Sequence, residues 1–134
     1  MVDQTITFTI ESRLENVALV GEAVLGLCAL TPQLDSNQIR MAVIEGINNA
    51  VLHAYHNEPG HLVQVTWCLN ADSLRIDITD WGHPLGRELS RQWPDEHQEG
   101  GRGGPLMWTC VDDLRWHQQG DTKTLSLCKR LPRC

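Results

Sequence analysis

The chain has 134 residues, a length that fits one domain and hardly two. Charged residues make up 21% and hydrophobic residues 41%, which is typical of a globular protein and excludes a disordered one. The formal net charge is -6, which argues against a general nucleic-acid binder because such proteins need a basic surface. The five cysteines form no CxxC pair, so we expect free thiols in a reducing compartment.

The first ten residues alternate in polarity and include Asp3, a pattern unlike a secretory signal peptide. The most apolar stretch, residues 17–30, contains Glu22 and is too short to cross a bilayer. We therefore expect a soluble cytoplasmic protein that contacts neither a membrane nor, directly, nucleic acid.

The N-terminal third predicts one strand and two helices. Residues 5–10 alternate as a half-buried strand. Ser12 and Glu15 have the spacing of a capping box, which begins a first helix that ends before Pro32. A second helix begins at Asp35 or Ser36 and runs to about His56. Its apolar stripe consists of Ile39, Val43, Ile47, Ala50 and Ala54.

The remainder predicts two hairpins and a short helix. Residues 61–69 and 74–79 alternate as strands around a turn at residues 70–73. A helix is expected at 105–111, followed by strands at 114–117 and 122–131. The element order favours a sheet with helices on one face. Residues 80–104 lose all periodicity, and so long a segment in a small domain indicates a functional loop.

Glu45 and Asn49 lie four residues apart on the second helix and therefore share a face beside its apolar stripe. A carboxylate and a carboxamide there can hold a hard metal ion and orient a nucleophile. The alternative is an ordinary solvated helix face. Gly46 between them costs helix stability, which indicates either close approach of a ligand or tight packing.

Two further motifs suit a nucleotide. Asp80, at the end of an apolar strand, can accept a hydrogen bond from an exocyclic amine, and Gly82 would let a flat ligand approach the backbone. The alternative is a simple turn. Residues 100–104, Gly-Gly-Arg-Gly-Gly, open the short helix, where free amides bind phosphate and Arg102 adds a positive charge. The alternative is a flexible loop without a ligand.

The order of these motifs resembles the Bergerat-fold ATPases, the superfamily that includes gyrase and the histidine kinases. Residues 45–55 (EGINNAVLHAY) are similar to one branch in particular, the anti-sigma-factor serine kinases. The resemblance covers nearly the whole chain, including residues 111–113 and 122–127. It implies one α+β two-layer sandwich over residues 1–134, with a mostly antiparallel mixed sheet, helices on one face and a nucleotide lid at about 83–104.

The resemblance also implies residue roles. Glu45 matches the general base that takes a proton from a partner's serine, and Asn49 matches the Mg²⁺ ligand. Asp80 matches the aspartate that recognises adenine. The other positions that match nucleotide-binding residues are His53, Gly82, Gly101, Arg102, Gly103, Gly104 and Thr124, with Thr122 as an alternative to Thr124. Family members usually carry a leucine and another apolar or small residue in place of Gly104 and Pro105, and this proline removes one amide from the phosphate cradle.

The implied function is that of a kinase that uses ATP and Mg²⁺ to phosphorylate a STAS-domain anti-anti-sigma factor. Such a protein also sequesters a sigma factor or another target, and the family suggests a homodimer through the N-terminal strand and helix. Two alternatives stay open. One is an antagonist that binds ATP without catalysis, and the other is a detached catalytic domain of a histidine kinase.

Overall fold

The computed structural model describes residues 3–83 and 103–132. The described elements are, in chain order, β1 (Gln4–Glu11), α1 (Leu14–Cys28), α2 (Ser36–Asn48), a π-helix (Asn49–Ala54), β2 (Leu62–Leu69), β3 (Ser73–Asp80), α3 (Gly103–Cys110), β4 (Asp113–Gln119) and β5 (Thr122–Arg130). None of the helices in these ranges is long and apolar enough to span a membrane.

The five described strands form one sheet in the order β1-β2-β3-β5-β4, and every pairing in it is antiparallel. No parallel pair occurs among them, so the described sheet is wholly antiparallel, whereas a mostly antiparallel mixed sheet was expected. The strands predicted at 61–69 and 74–79 are observed at 62–69 and 73–80, so each end differs by at most one residue. The turn between these strands is held by Asn70, whose Oδ1 accepts hydrogen bonds from the amides of Asp72 and Ser73 at 2.8 and 2.9 Å.

The hydrophobic core lies between one face of this sheet and the helices, which confirms the two-layer α+β arrangement. The helix α2 contacts α1, α3 and β3. All five residues of its predicted apolar stripe are at most 3% exposed. From the sheet, alternate residues of β2 are buried in the same core, and Trp67 is the largest of them.

The capping box expected at the start of α1 is not formed. Arg13 is the N-cap residue and its side chain makes no capping hydrogen bond. Ser12 does not cap the helix because its hydroxyl is used elsewhere. The side chain is buried, and the hydroxyl donates to the carbonyl of Glu58 at 2.7 Å and accepts from the amide of His61 at 3.1 Å. The cap of α2 is as predicted, since Asp35 accepts from the amides of residues 37 and 38.

The second helix changes its winding near its end, where the sequence predicts a continuous α-helix to about His56. The α-helical part ends at Asn48, and six π-helical residues follow. The amide of Tyr55 bonds to the carbonyl of Ala50 at 3.0 Å, five residues back. His56 and Asn57 then adopt positive φ and stop the helix. The wider turn leaves the carbonyl of Ala54 free to accept from the amide of His83 at 2.7 Å.

Candidate functional site

Asp80 closes β3 as a buried carboxylate, only 3% exposed. Its Oδ1 accepts a hydrogen bond from the amide of Gly82 at 3.0 Å. Burial raises the pKa of the Asp80 carboxyl, while the Gly82 amide and the Lys123 ammonium oppose that rise because both favour the charged form. The aspartate expected to recognise a base is therefore held in a fixed orientation at the end of the strand.

Lys123 on β5 lies directly across from Asp80 in the strand pairing. Its side chain is 1% exposed, and its Nζ lies 3.6 Å from Asp80 Oδ1. The same ammonium donates a hydrogen bond to the carbonyl oxygen of Gly82. A buried ammonium needs such partners because isolated charge is costly away from water. Lys123 thus contacts both Asp80 and Gly82, the two residues that the sequence assigned to base recognition.

Thr124 lies on the opposite face of the sheet, so the structure does not bring it to Asp80. Its Oγ1 is 3.1 Å from Oγ1 of Thr79, the residue beside it on β3. A contact of Thr124 with the nucleotide stays a prediction, and it is Lys123, rather than Thr124, that lies beside Asp80. The alternation of β5 indicates this, because Lys123 shares a face with the buried Leu125 and Leu127.

Gly82 is required by the protein's own packing. A Cβ at this position would overlap the carbonyl oxygen of Ala54 and lie 2.6 Å from its carbonyl carbon. Tyr55 fixes the same turn, since its hydroxyl accepts from the amide of Trp81 at 2.8 Å and donates to the carbonyl of Leu62 at 2.6 Å. The glycine therefore admits the end of the π-helix, and its expected contact with a nucleotide stays a prediction.

We expect Gly82→Ala to destabilise the fold by about 1–3 kcal/mol, because the new methyl group meets backbone atoms that cannot rotate away. Gly26→Ala is the matched control. Gly26 lies in α1 with open space around its Cβ position, so alanine there should stabilise by up to about 1 kcal/mol. Urea unfolding of both variants checks this, and equal stability of Gly82→Ala and the parent would contradict the packing account.

Glu45 and Asn49 come together at the end of α2, facing the start of α3. A Cβ on Gly103 would lie 3.1 Å from Glu45 Oε2 and 3.9 Å from Asn49 Oδ1. Gly46 between them is explained by packing, since a Cβ there would overlap Ile78 and lie 3.3 Å from Leu125. The helix is pressed against the sheet at Gly46, and this contact holds the two polar side chains beside the apolar stripe.

The polar groups at this end of α2 fit a magnesium ion held with a nucleotide. The side-chain nitrogen of Asn49 is buried and has no hydrogen-bond partner in the described part of the chain, so an acceptor on a bound ligand would complete it. This nitrogen is a donor and cannot bind a metal ion, which would instead be held by the Oδ1 of the same side chain. Within residues 3–83 and 103–132 no three His, Cys, Asp or Glu side chains cluster as a metal site. Mg²⁺ needs no such cluster, because it is usually held by one or two side-chain oxygens together with phosphates and water.

The phosphate-binding residues are described only in part. Gly103 and Gly104 open α3, where the first amides of a helix are free to bind an anion. Gly101, Arg102 and most of the expected lid lie outside the described residues, so their roles stay predictions. His53 is exposed within the π-helix, one turn beyond Asn49, and its nucleotide contact also stays a prediction.

Residues 9–129 match the family model of the histidine kinase-like ATPase domain. An anti-sigma F factor of Clostridium beijerinckii is 33% identical over 137 residues, which cover 97% of this chain and 96% of that protein. A serine-protein kinase RsbW of Bacillus licheniformis is 33% identical over 108 residues, which cover 74% of this chain and 67% of that protein.

A solved structure shares the fold. The structure of the RsbU and RsbW domains of Rv1364c from Mycobacterium tuberculosis matches with a TM-score of 0.70 at 18% identity, and the match covers 98% of this chain and 33% of that one. The expected Bergerat-type fold is thereby confirmed. The chain belongs to the histidine kinase-like ATPase domain family, within the group that includes the anti-sigma F factors and the RsbW serine-protein kinases.

Proposed function

We propose that this chain is a cytoplasmic, ATP-dependent protein serine/threonine kinase and an anti-sigma-type regulator. Its substrate is a serine or threonine of a STAS-domain anti-anti-sigma factor. The observation that carries the proposal is the carboxylate of Glu45, which stands beside Asn49 and the first residue of α3. The names of the relatives, anti-sigma F factor and serine-protein kinase, support the same activity.

Each end of the site has its own task in this proposal. Asp80 orients the base by accepting a hydrogen bond from its exocyclic amine. The free amides of Gly103 and Gly104, together with Gly101 and Arg102, hold the phosphates. Asn49 offers its Oδ1 to Mg²⁺. Bound Mg·ATP supplies the phosphoryl group and the positive charge that phosphoryl transfer requires.

Glu45 acts on the partner's hydroxyl in this proposal. Its Oε2 faces the start of α3, the same place where the amides would hold the terminal phosphate. A carboxylate there can accept the hydroxyl proton of a docked serine and direct the oxygen toward phosphorus. This carboxylate favours a kinase over a module that only binds nucleotide, because binding alone requires no base.

Exposed leucines on and after α1 are candidate contacts for a partner. Leu14 and Leu19 on α1 are 47% and 65% exposed, and Leu30 after it is 88% exposed. Apolar side chains of this size gain free energy when a partner covers them. A sigma factor or another target is the expected second partner, and the homodimer through β1 and α1 stays a prediction.

The proposal is tested by single-turnover transfer of γ-labelled phosphate from ATP to a STAS-domain protein that forms a complex with this chain. Labelled partner that accumulates only with Mg²⁺ and both proteins present supports the kinase. A partner that binds at saturating Mg·ATP and gains no label contradicts it and favours the non-catalytic antagonist.

Asn49→Ala should weaken ATP binding mainly when Mg²⁺ is present, because it removes a neutral oxygen that holds the metal. The expected loss is about tenfold with Mg²⁺, and little change is expected in excess chelator. Titration calorimetry under both conditions checks this. Asn37→Ala, an exposed asparagine in the first turn of α2, is the control and should leave affinity unchanged. Equal loss with and without Mg²⁺ would remove Asn49 as a metal ligand.

A further inference from the structure

The base subsite of this chain already contains a positive charge. The ammonium of Lys123 donates to the carbonyl oxygen of Gly82 and lies 3.6 Å from Asp80 Oδ1. An exocyclic amine of a base offers the same kind of N–H donor that this ammonium offers. The protein therefore already places a cation of its own beside the carboxylate of Asp80.

Burial shows that the two partners also fill the space. The side chain of Asp80 is 4% exposed and that of Lys123 is 1% exposed. A base can reach the carboxylate only if one of these side chains moves. Asp80 is tied to the amide of Gly82 at 3.0 Å. Lys123 has four rotatable side-chain bonds, so it is the group that can swing away.

We propose that Lys123 is an affinity-determining residue that competes with the nucleotide base for Asp80 and the Gly82 carbonyl. This inference rests on the proposed nucleotide site and adds a built-in competitor to it. Binding a nucleotide through its base requires Lys123 to leave a charge-assisted hydrogen bond, and this requirement weakens the contribution of the base. The phosphate-binding end, at Gly103 and Gly104, is unaffected.

Lys123 competes with the base and not with the phosphates, so the probes are ATP, which has a base, and inorganic tripolyphosphate, which has none, both with Mg²⁺. In the unaltered chain the two should bind with similar affinity, because the base adds little while Lys123 holds its place. In Lys123→Thr, which removes the ammonium and opens room for water at Asp80, ATP should bind at least about tenfold more tightly than in the parent. The affinity for tripolyphosphate should not change.

Lys129→Thr is the matched control. Lys129 lies on the same strand and its Nζ is also 3.6 Å from a carboxylate, that of Asp112, but this pair is 28% and 31% exposed and lies outside the site. The control variant should leave both affinities at the parental values. Circular dichroism at the working temperature establishes that each variant is folded before titration.

The outcomes discriminate between the two proposals. Tighter ATP binding in Lys123→Thr supports both the competitor and the nucleotide site. ATP binding that is unchanged or weaker in the variant overturns the competitor and leaves the nucleotide site standing. ATP binding by neither protein overturns both. If Lys123→Thr does not fold, the parent chain alone still tests the proposal. ATP binding to the parent that is far tighter than tripolyphosphate binding would overturn the role of Lys123 as a competitor.

Discussion

Replacing Glu45 with alanine is expected to slow phosphoryl transfer by about 10²–10⁴-fold while ATP affinity and the partner complex persist. The carboxylate faces the start of α3, where the proposal assigns it to the partner's hydroxyl and not to the nucleotide, so its removal should leave the nucleotide contacts in place. Single-turnover transfer at saturating ATP measures the chemical step directly. Calorimetric titration of the same variant with ATP measures binding.

Glu22→Ala is the control for this experiment. Glu22 is a glutamate in α1 whose side chain is 72% exposed, with one long ion pair to Arg40 at 3.9 Å. Its removal should change neither transfer nor affinity. Transfer by Glu45→Ala at the parental rate would show that Glu45 is not the base. A rate lowered together with ATP affinity would place Glu45 in nucleotide binding.

The second large effect concerns stability. Asp80→Asn and Lys123→Met should each destabilise the fold by about 3–5 kcal/mol, because each leaves one buried member of a charged pair without its partner. The double variant should be more stable than the sum of the single losses predicts, by about 2–3 kcal/mol, since it removes both charges. Asparagine retains an oxygen for the Gly82 amide and methionine retains most of the lysine's volume, so packing changes little.

Urea unfolding of the parent, the two single variants and the double variant gives the four free energies of this double-mutant cycle. The control cycle uses Asp112→Asn and Lys129→Met, a pair at the same 3.6 Å distance but about a third exposed. Solvent screening should reduce its coupling to about 1 kcal/mol or less. Additive losses at Asp80 and Lys123 would mean that the two charges do not stabilise one another.

The sequence predicted the framework well because the framework follows periodicity. The apolar stripe of α2 repeats with helical spacing, and β2 and β3 alternate in polarity, so element type and buried face could be derived without a structure. The placement of Glu45 and Asn49 on one helix face followed from the same spacing. Residue roles came from the resemblance, and geometry alone would have left a solvated helix face as an open alternative.

Contacts between distant segments could not be predicted in this way. Ser12 looked like a helix cap, but its hydroxyl is used by residues 58 and 61, which are close only in the folded chain. The π-helix ends where the carbonyl of Ala54 accepts from the amide of His83 in the turn after β3, and no local sequence pattern predicts that contact. Lys123 was overlooked because a lysine in a strand suggests a solvated face, although its alternation with Leu125 indicated the buried one.

The most direct test of the proposed kinase is the identity of the phosphorylated residue. The STAS-domain partner is incubated with this chain and Mg·ATP, and both proteins are then examined by peptide mass spectrometry and for acid stability of the phosphate. The account predicts an acid-stable phosphoserine or phosphothreonine on the partner, which forms about 10²–10⁴-fold more slowly when Glu45→Ala replaces the parent in a single-turnover reaction. An acid-labile phosphohistidine, or no phosphate on a partner that is bound in the presence of ATP, would contradict it.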